Sequence, residues 1–140
     1  MFQPLTMGKA ASVLGKPDRK HTFTFIDDFG RALVTLGQSE DTYGEAWHVP
    51  NADAVPVTRF VELAAQLAGV EARIKPMGKG MLRIGGLFIP GARESIEMFY
   101  QFEKEFVVSS RKFTDRFGQR ATPLEESLAA TIDWYRTRRS

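Results

Sequence analysis

The chain of 140 residues contains no cysteine. Disulfides, thiolate nucleophiles and zinc sites that need thiolate ligands are therefore excluded, and a reducing cytoplasm is the compartment this composition suits. No apolar run reaches the ~20 residues of a membrane-spanning helix. The opening MFQPLTMGKAASVLGKPDRK has neither a long apolar segment nor a small-residue cleavage signal, so no signal peptide is expected. Phosphate-cradling loops are missing too: there is no G-x-x-x-x-G-K-[ST] and no G-x-x-G-x-x-G. Ser109 and Ser110 lack a G-x-S-x-G elbow and are expected to cap the helix after them. Tyr43 and Tyr135 have no lysine four residues on, and the chain is read as lacking a Tyr-x-x-x-Lys pair.

What is present suits one domain with a real core: 43% hydrophobic residues, including 11 phenylalanines and two tryptophans. The net charge of +2 is mostly local, in GKPDRK and the terminal RTRRS. Arg136, Arg138 and Arg139 read as the last turn of a helix, where cations complement the dipole, and no nucleic-acid partner is expected.

Residues 1–20 suggest a short helix or loop and then a Gly/Pro/Asp turn. HTFTF alternates and predicts a strand. From IDDFGRALVTLGQ the period becomes helical, with Phe29, Leu33 and Leu36 in register and Ala32 beside them. Asp27 or Asp28 would cap this helix and Gly37 would follow its end. EAWHVP predicts a second strand, TRFVELAAQLAG a helix ending at Gly69, and VEARIKP a third strand. MLRIGGLF predicts a short apolar helix, and GKGMLRIGG is read as loop and helix packing. ARESIEMFYQFEKE and SSRKFTDRFG predict two further helices. The last helix carries Thr122 as cap, Pro123 at the first position and Glu125 at the third, then the stripe Leu124, Leu128, Ile132 and Tyr135.

His21, Asp27 and Asp28 invite a metal or catalytic reading. A strand places His21 about 20 Å from the two acids, so helix capping is the favoured role for them. His21 and His48, flanked by apolar strand residues, read as satisfied core groups. Arg93 opens a helix after a proline–glycine break. It is either a contact for an anionic substrate or a surface ion-pair partner.

Three segments, LGKPDRKHTFTFIDDFGRALVTLG, YGEAWHVPNADAVPVTRFVELAAQLAG and FGQRATPLEESLAATIDWYR, together resemble in order the C-terminal portion of the extended short-chain dehydrogenase/reductases, the NAD-dependent epimerase/dehydratase group. The resemblance covers about residues 10 to 137. It implies an α/β fold: a partial Rossmann-type fragment with few short, mostly parallel strands and a helix-rich substrate-binding lobe. Residues 1–56 would be the remnant of the late Rossmann strands and helix, and 57–140 the lobe and C-terminal helix, in one compact unit. Such enzymes bind NAD or NADP through the glycine loop absent here, so no cofactor is expected for this chain alone. His21 stands near the strand start where the family places a cation toward substrate phosphate, with Lys20 and Arg19 just before it. The segment from Met81 to Ser110 would wall the pocket with apolar and aromatic groups. His21, Arg93 and Tyr100 are the candidate substrate contacts, and no metal site or catalytic residue is expected. Two functions stay open: the substrate-binding portion of an NAD(P)-dependent epimerase, dehydratase or reductase, or a stand-alone binding domain without catalysis. Strands HTFTF and EAWHV, with their edges bare, would drive homodimerisation, with residues 1–25 and the helix at 27–36 near the interface. A small-molecule ligand is the other partner expected, and no membrane.

Overall fold

A computed structural model describes residues 1–81 and 96–137. The chain opens with a one-turn helix, α1 (Phe2–Leu5), and strand β1 (Ala11–Leu14). Ala11 and Val13 point into the core and Ser12 points out, the period-two alternation of a half-buried strand. β1 pairs in parallel with β4 (Ile74–Met77), in the register Ala11↔Ile74 to Leu14↔Met77. Pro76 can donate nothing to a ladder, which suits β4's place in a two-stranded sheet. This pairing joins the part before residue 56 to the part after it. Gly15 follows β1 at φ 72, and a Cβ there would lie 2.2 Å from the Phe102 carbonyl oxygen. Glycine is required for both reasons.

A second small sheet forms around His21. β2 (Lys20–His21) pairs antiparallel with β3 (Val55–Pro56), and His21 bridges in parallel to Phe106 on its other side. HTFTF is therefore a strand only at its start. Thr22 donates its N–H to the Phe106 carbonyl at 2.8 Å, and beyond that point no ladder runs. The alternation still serves packing, since Phe23 stacks on Phe60 with centroids 3.8 Å apart.

EAWHVP is not a strand. Trp47 instead packs against Phe113 and Phe117, with the Lys112 ammonium 3.9 Å from its ring centroid. Strand propensity measures fit to a neighbouring strand, and among the described residues no strand pairs with this segment. The case for a dimer through the edges of these two strands falls with them. The third expected strand begins later than VEARIKP suggests, at Ile74. The apolar helix expected at MLRIGGLF lies, after Met81, outside the described residues.

Four longer helices follow, α2 (Ile26–Gly37), α3 (Val57–Ala68), α5 (Arg111–Phe117) and α6 (Leu124–Thr137), with the single turn α4 (Tyr100–Glu103) between and a 3-10 turn at Glu40–Thr42 after α2. The described part of ARESIEMFYQFEKE is helical only in α4, after a turn. Gly69 and Gly118 close α3 and α5 in the left-handed conformation, as their sequence places suggested. Ser110 makes no side-chain cap on α5. The core sits between α3 and α6: Phe60, Val61, Leu63, Ala64, Ala65 and Ala68 meet Leu128 and Ile132, with Leu5, Ala11 and Val13 closing one side. Arg136 reaches from the last turn of α6 to the Ala68 carbonyl at 2.7 Å, which satisfies an acceptor left open at the end of α3.

Candidate functional site: the cleft beside the α2–α6 junction

α2 begins after Phe25, which offers no side-chain cap, so neither aspartate caps it. Asp28 is the third helical residue and is only 4% exposed. Its Oδ2 accepts the Thr122 backbone N–H at 2.8 Å and its Oδ1 accepts the Thr122 hydroxyl at 2.7 Å. Arg31, one turn on, pairs with the same Oδ1 and donates to the Thr122 hydroxyl at 3.2 Å. Asp28 is thus a buried tie between α2 and the residues that lead into α6. Thr122, spent on this tie, does not make the capping box its sequence position suggested. Charged acceptors bound by backbone N–H groups are among the stronger hydrogen bonds.

Beside this tie lies a cleft of about 650 Å³. Phe2, Phe23 and Phe60 form its apolar wall, and Trp134 and Tyr135 of α6 form another. Phe2 stacks on Tyr135 with centroids 5.8 Å apart. Besides Thr122, three hydroxyls that line it are engaged: Ser127 donates to the Leu124 carbonyl, Thr131 to the Ser127 carbonyl, and Thr24 to Asn51 Oδ1. Asp27 is exposed at the rim. An aromatic cleft of this size can take an apolar or planar group. The Thr122 hydroxyl and the Asp28 carboxylate both belong to its lining, and their contact is the buried tie itself.

The expected site residues fall elsewhere. His21 is half-buried with its ring 6.4 Å from that of Phe106, and it does not line the cleft. Tyr100, 52% exposed, opens α4. His21 and α4 are nonetheless stitched to one segment, because Phe106 lies three residues past α4 and donates its N–H to the Lys20 carbonyl at 2.9 Å. Arg93 lies outside the described residues. His48 is exposed rather than a core group, with Nδ1 3.3 Å from the Ser109 carbonyl. Among the described residues no three His, Asp or Glu side chains converge as metal ligands would.

Tyr100 does have a lysine four residues on, Lys104, so the Tyr-x-x-x-Lys spacing exists. Its geometry does not. α4 stops at Glu103, and Lys104 is extended at φ −111, ψ 165, so the two side chains do not share a helical face.

The β2–α2 turn does not have the chemistry of a pyrophosphate cradle. The β2–α2 connection, residues 22–25, holds no glycine, and α2 opens with two aspartates. Pyrophosphate sites at a strand–helix turn need close backbone approach and an uncrowded positive helix end, which carboxylates oppose.

No known protein family matches the chain, and no curated protein does. Solved structures match well. UDP-glucuronic acid 4-epimerase from Bacillus cereus, in complex with NAD, aligns over 99% of this chain with a TM-score of 0.68 and 13% identity. RMD from Pseudomonas aeruginosa, complexed with NADPH, aligns over 98% with a TM-score of 0.60 and 18% identity. The chain spans 38% and 40% of those two proteins. It has the α/β fold of part of a Rossmann-type epimerase or reductase, with few strands. Among the described residues no helix is long and apolar enough to cross a membrane.

Proposed function

We propose that this chain is the substrate-binding portion of an NAD(P)-dependent epimerase, dehydratase or reductase and is inactive by itself. One observation carries the reading: nearly all of the chain aligns with about two-fifths of two enzymes that hold NAD or NADPH, while it lacks a dinucleotide loop of its own. The cofactor belongs to the rest of such an enzyme. Residues 57–140 are the lobe, and His21, Arg93 and Tyr100 contact the substrate. The link between His21 and the segment after α4 supports grouping two of these three. The test is an NMR titration with UDP-glucuronic acid and other nucleoside-diphosphate sugars, following the His21 and Tyr100 ring signals. Saturable shifts of both with one sugar nucleotide are expected, and their absence throughout the panel overturns the substrate role.

The second reading, a stand-alone interaction domain without catalysis, is favoured by the apolar face that α2 turns to solvent. Sugar-nucleotide binding at His21 and Tyr100 argues against it.

A further inference from the structure

The segment around Trp47 is held in place by side chains alone. Residues 46–50 form no helix or strand, and among the described residues no backbone–backbone hydrogen bond joins them to any element. Both ends of the stretch are fixed. Upstream, Thr42 is buried with its hydroxyl 2.6 Å from the Ser39 carbonyl, and Asp41 pairs with Arg116. Downstream, Pro50 is buried and Asn51 Oδ1 accepts the Thr24 hydroxyl. Gly44 turns the chain out of the upstream anchor at φ 79, with open space where a Cβ would stand.

Between the anchors, one residue of α5 makes most of the contact. Lys112 Nζ lies 2.5 Å from the Glu45 carboxylate, donates to the Ala46 carbonyl at 3.2 Å and stands 3.9 Å from the Trp47 ring centroid. Trp47 is the peg. Its ring meets those of Phe113 and Phe117, and its indole N–H donates to the Thr42 carbonyl at 3.2 Å, on the anchored side. His48 adds a link to the Ser109 carbonyl. The Lys112 and Glu45 side chains are each about half exposed, so water and salt reach the pair, and such pairs are weak singly. A segment with few buried contacts and no ladder opens more readily than the core.

We propose that residues 44–49 form a hinged strap on α5, with Lys112 as its latch. The strap leaves α5 while both anchors and the α3–α6 core stay in place. Its release uncovers Phe113, which is fully buried when the strap is closed, and Phe117 beside it. Screening or removing the single charge of Lys112 weakens three contacts at once, and that makes this residue the control point. The inference does not depend on the substrate role.

Hydrogen exchange of the Trp47 indole N–H, told from that of Trp134 by Trp134→Phe, reads the opening because the bond to Thr42 must break. Its protection should be at least about tenfold below that of the slowest α3 amides. Lys112→Met keeps the stem and removes the charge. It should speed the indole exchange about tenfold, the scale of one exposed ion pair and one cation–π contact together, with the α3 amides unchanged. Raising the salt from about 0.01 M to about 1 M, which shortens the screening length from about 30 to about 3 Å, should speed it severalfold in the wild type and little in Lys112→Met. Indole protection equal to that of the α3 amides overturns the proposal, since the segment would then open only with the core. So does a Lys112→Met chain with unchanged indole exchange, or one whose α3 amides speed up by the same factor. Failure of sugar nucleotides to bind would leave all these readings unchanged.

Discussion

Replacing Asp28 tests what holds α2 to α6. Asp28→Ala removes the acceptor for the Thr122 N–H, for the Thr122 hydroxyl and for Arg31 at once. The Arg31 side chain is 59% exposed, so its share is small, at most about 1 kcal/mol. The two Thr122 bonds go to a buried charged group and contribute about 1.5–3 kcal/mol apiece before any relaxation. Water can reach part of the site once the carboxylate is gone, so a net loss of about 3 kcal/mol is expected for Asp28→Ala. Asp28→Asn keeps one acceptor but turns an amide toward a donor, and should cost about 2 kcal/mol. Thr122→Ala, which spares the backbone bond, should cost about 1 kcal/mol. Urea unfolding gives the series, and the Asp28→Ala/Thr122→Ala double-mutant cycle gives the coupling. Additive effects, or an Asp28→Ala loss no larger than that of Thr122→Ala, would refute the tie and return Thr122 to a simple helix cap.

Leu128, 2% exposed between α3 and α6, should cost about 2–5 kcal/mol on truncation to alanine, read from the urea midpoint. Gly15→Ala should cost more than about 2 kcal/mol by the same assay, because it combines a left-handed φ with a clash against the Phe102 carbonyl. A pH effect belongs to the outer face of α5. The hydrogen bond from Arg116, 2.5 Å from Asp41, holds the Asp41 carboxyl below its ordinary value of 3.8. A lowered folded-state value stabilises the ionised form. This contribution is therefore complete above 3.8 and fades as pH falls through the lower folded-state value. Trp47 fluorescence in a Trp134→Phe background should report an acid transition that Asp41→Asn abolishes.

The helices that a reader of the sequence finds most surely are those whose signals are local. α3 and α6 have stripes of fixed period, and α3 and α5 end in glycines that do adopt the left-handed conformation. α2 is legible as a helix, yet its orientation is not. The same stripe of Phe29 and Leu33 that ordinarily predicts a buried face is the exposed one, because what a stripe packs against is not written in its period. HTFTF and EAWHVP fail as full strands for a related reason: alternation prepares a segment to pair, but a partner must lie alongside. The role of Asp28 was hidden by distance, since Thr122 stands 94 residues later. Tyr100 and Lys104 teach the reverse lesson. Their spacing is plain in the sequence, and only the early stop of α4 shows that it does not align them.

The central claim, that the chain holds a substrate lobe and no dinucleotide site, is tested most directly by calorimetric titration of the purified chain with NAD, NADP and their reduced forms. The account predicts no binding heat for any of the four at micromolar concentrations. Saturable micromolar binding of one of them would contradict it, and would mean that the aspartates opening α2 and the glycine-free turn before it do not exclude the pyrophosphate.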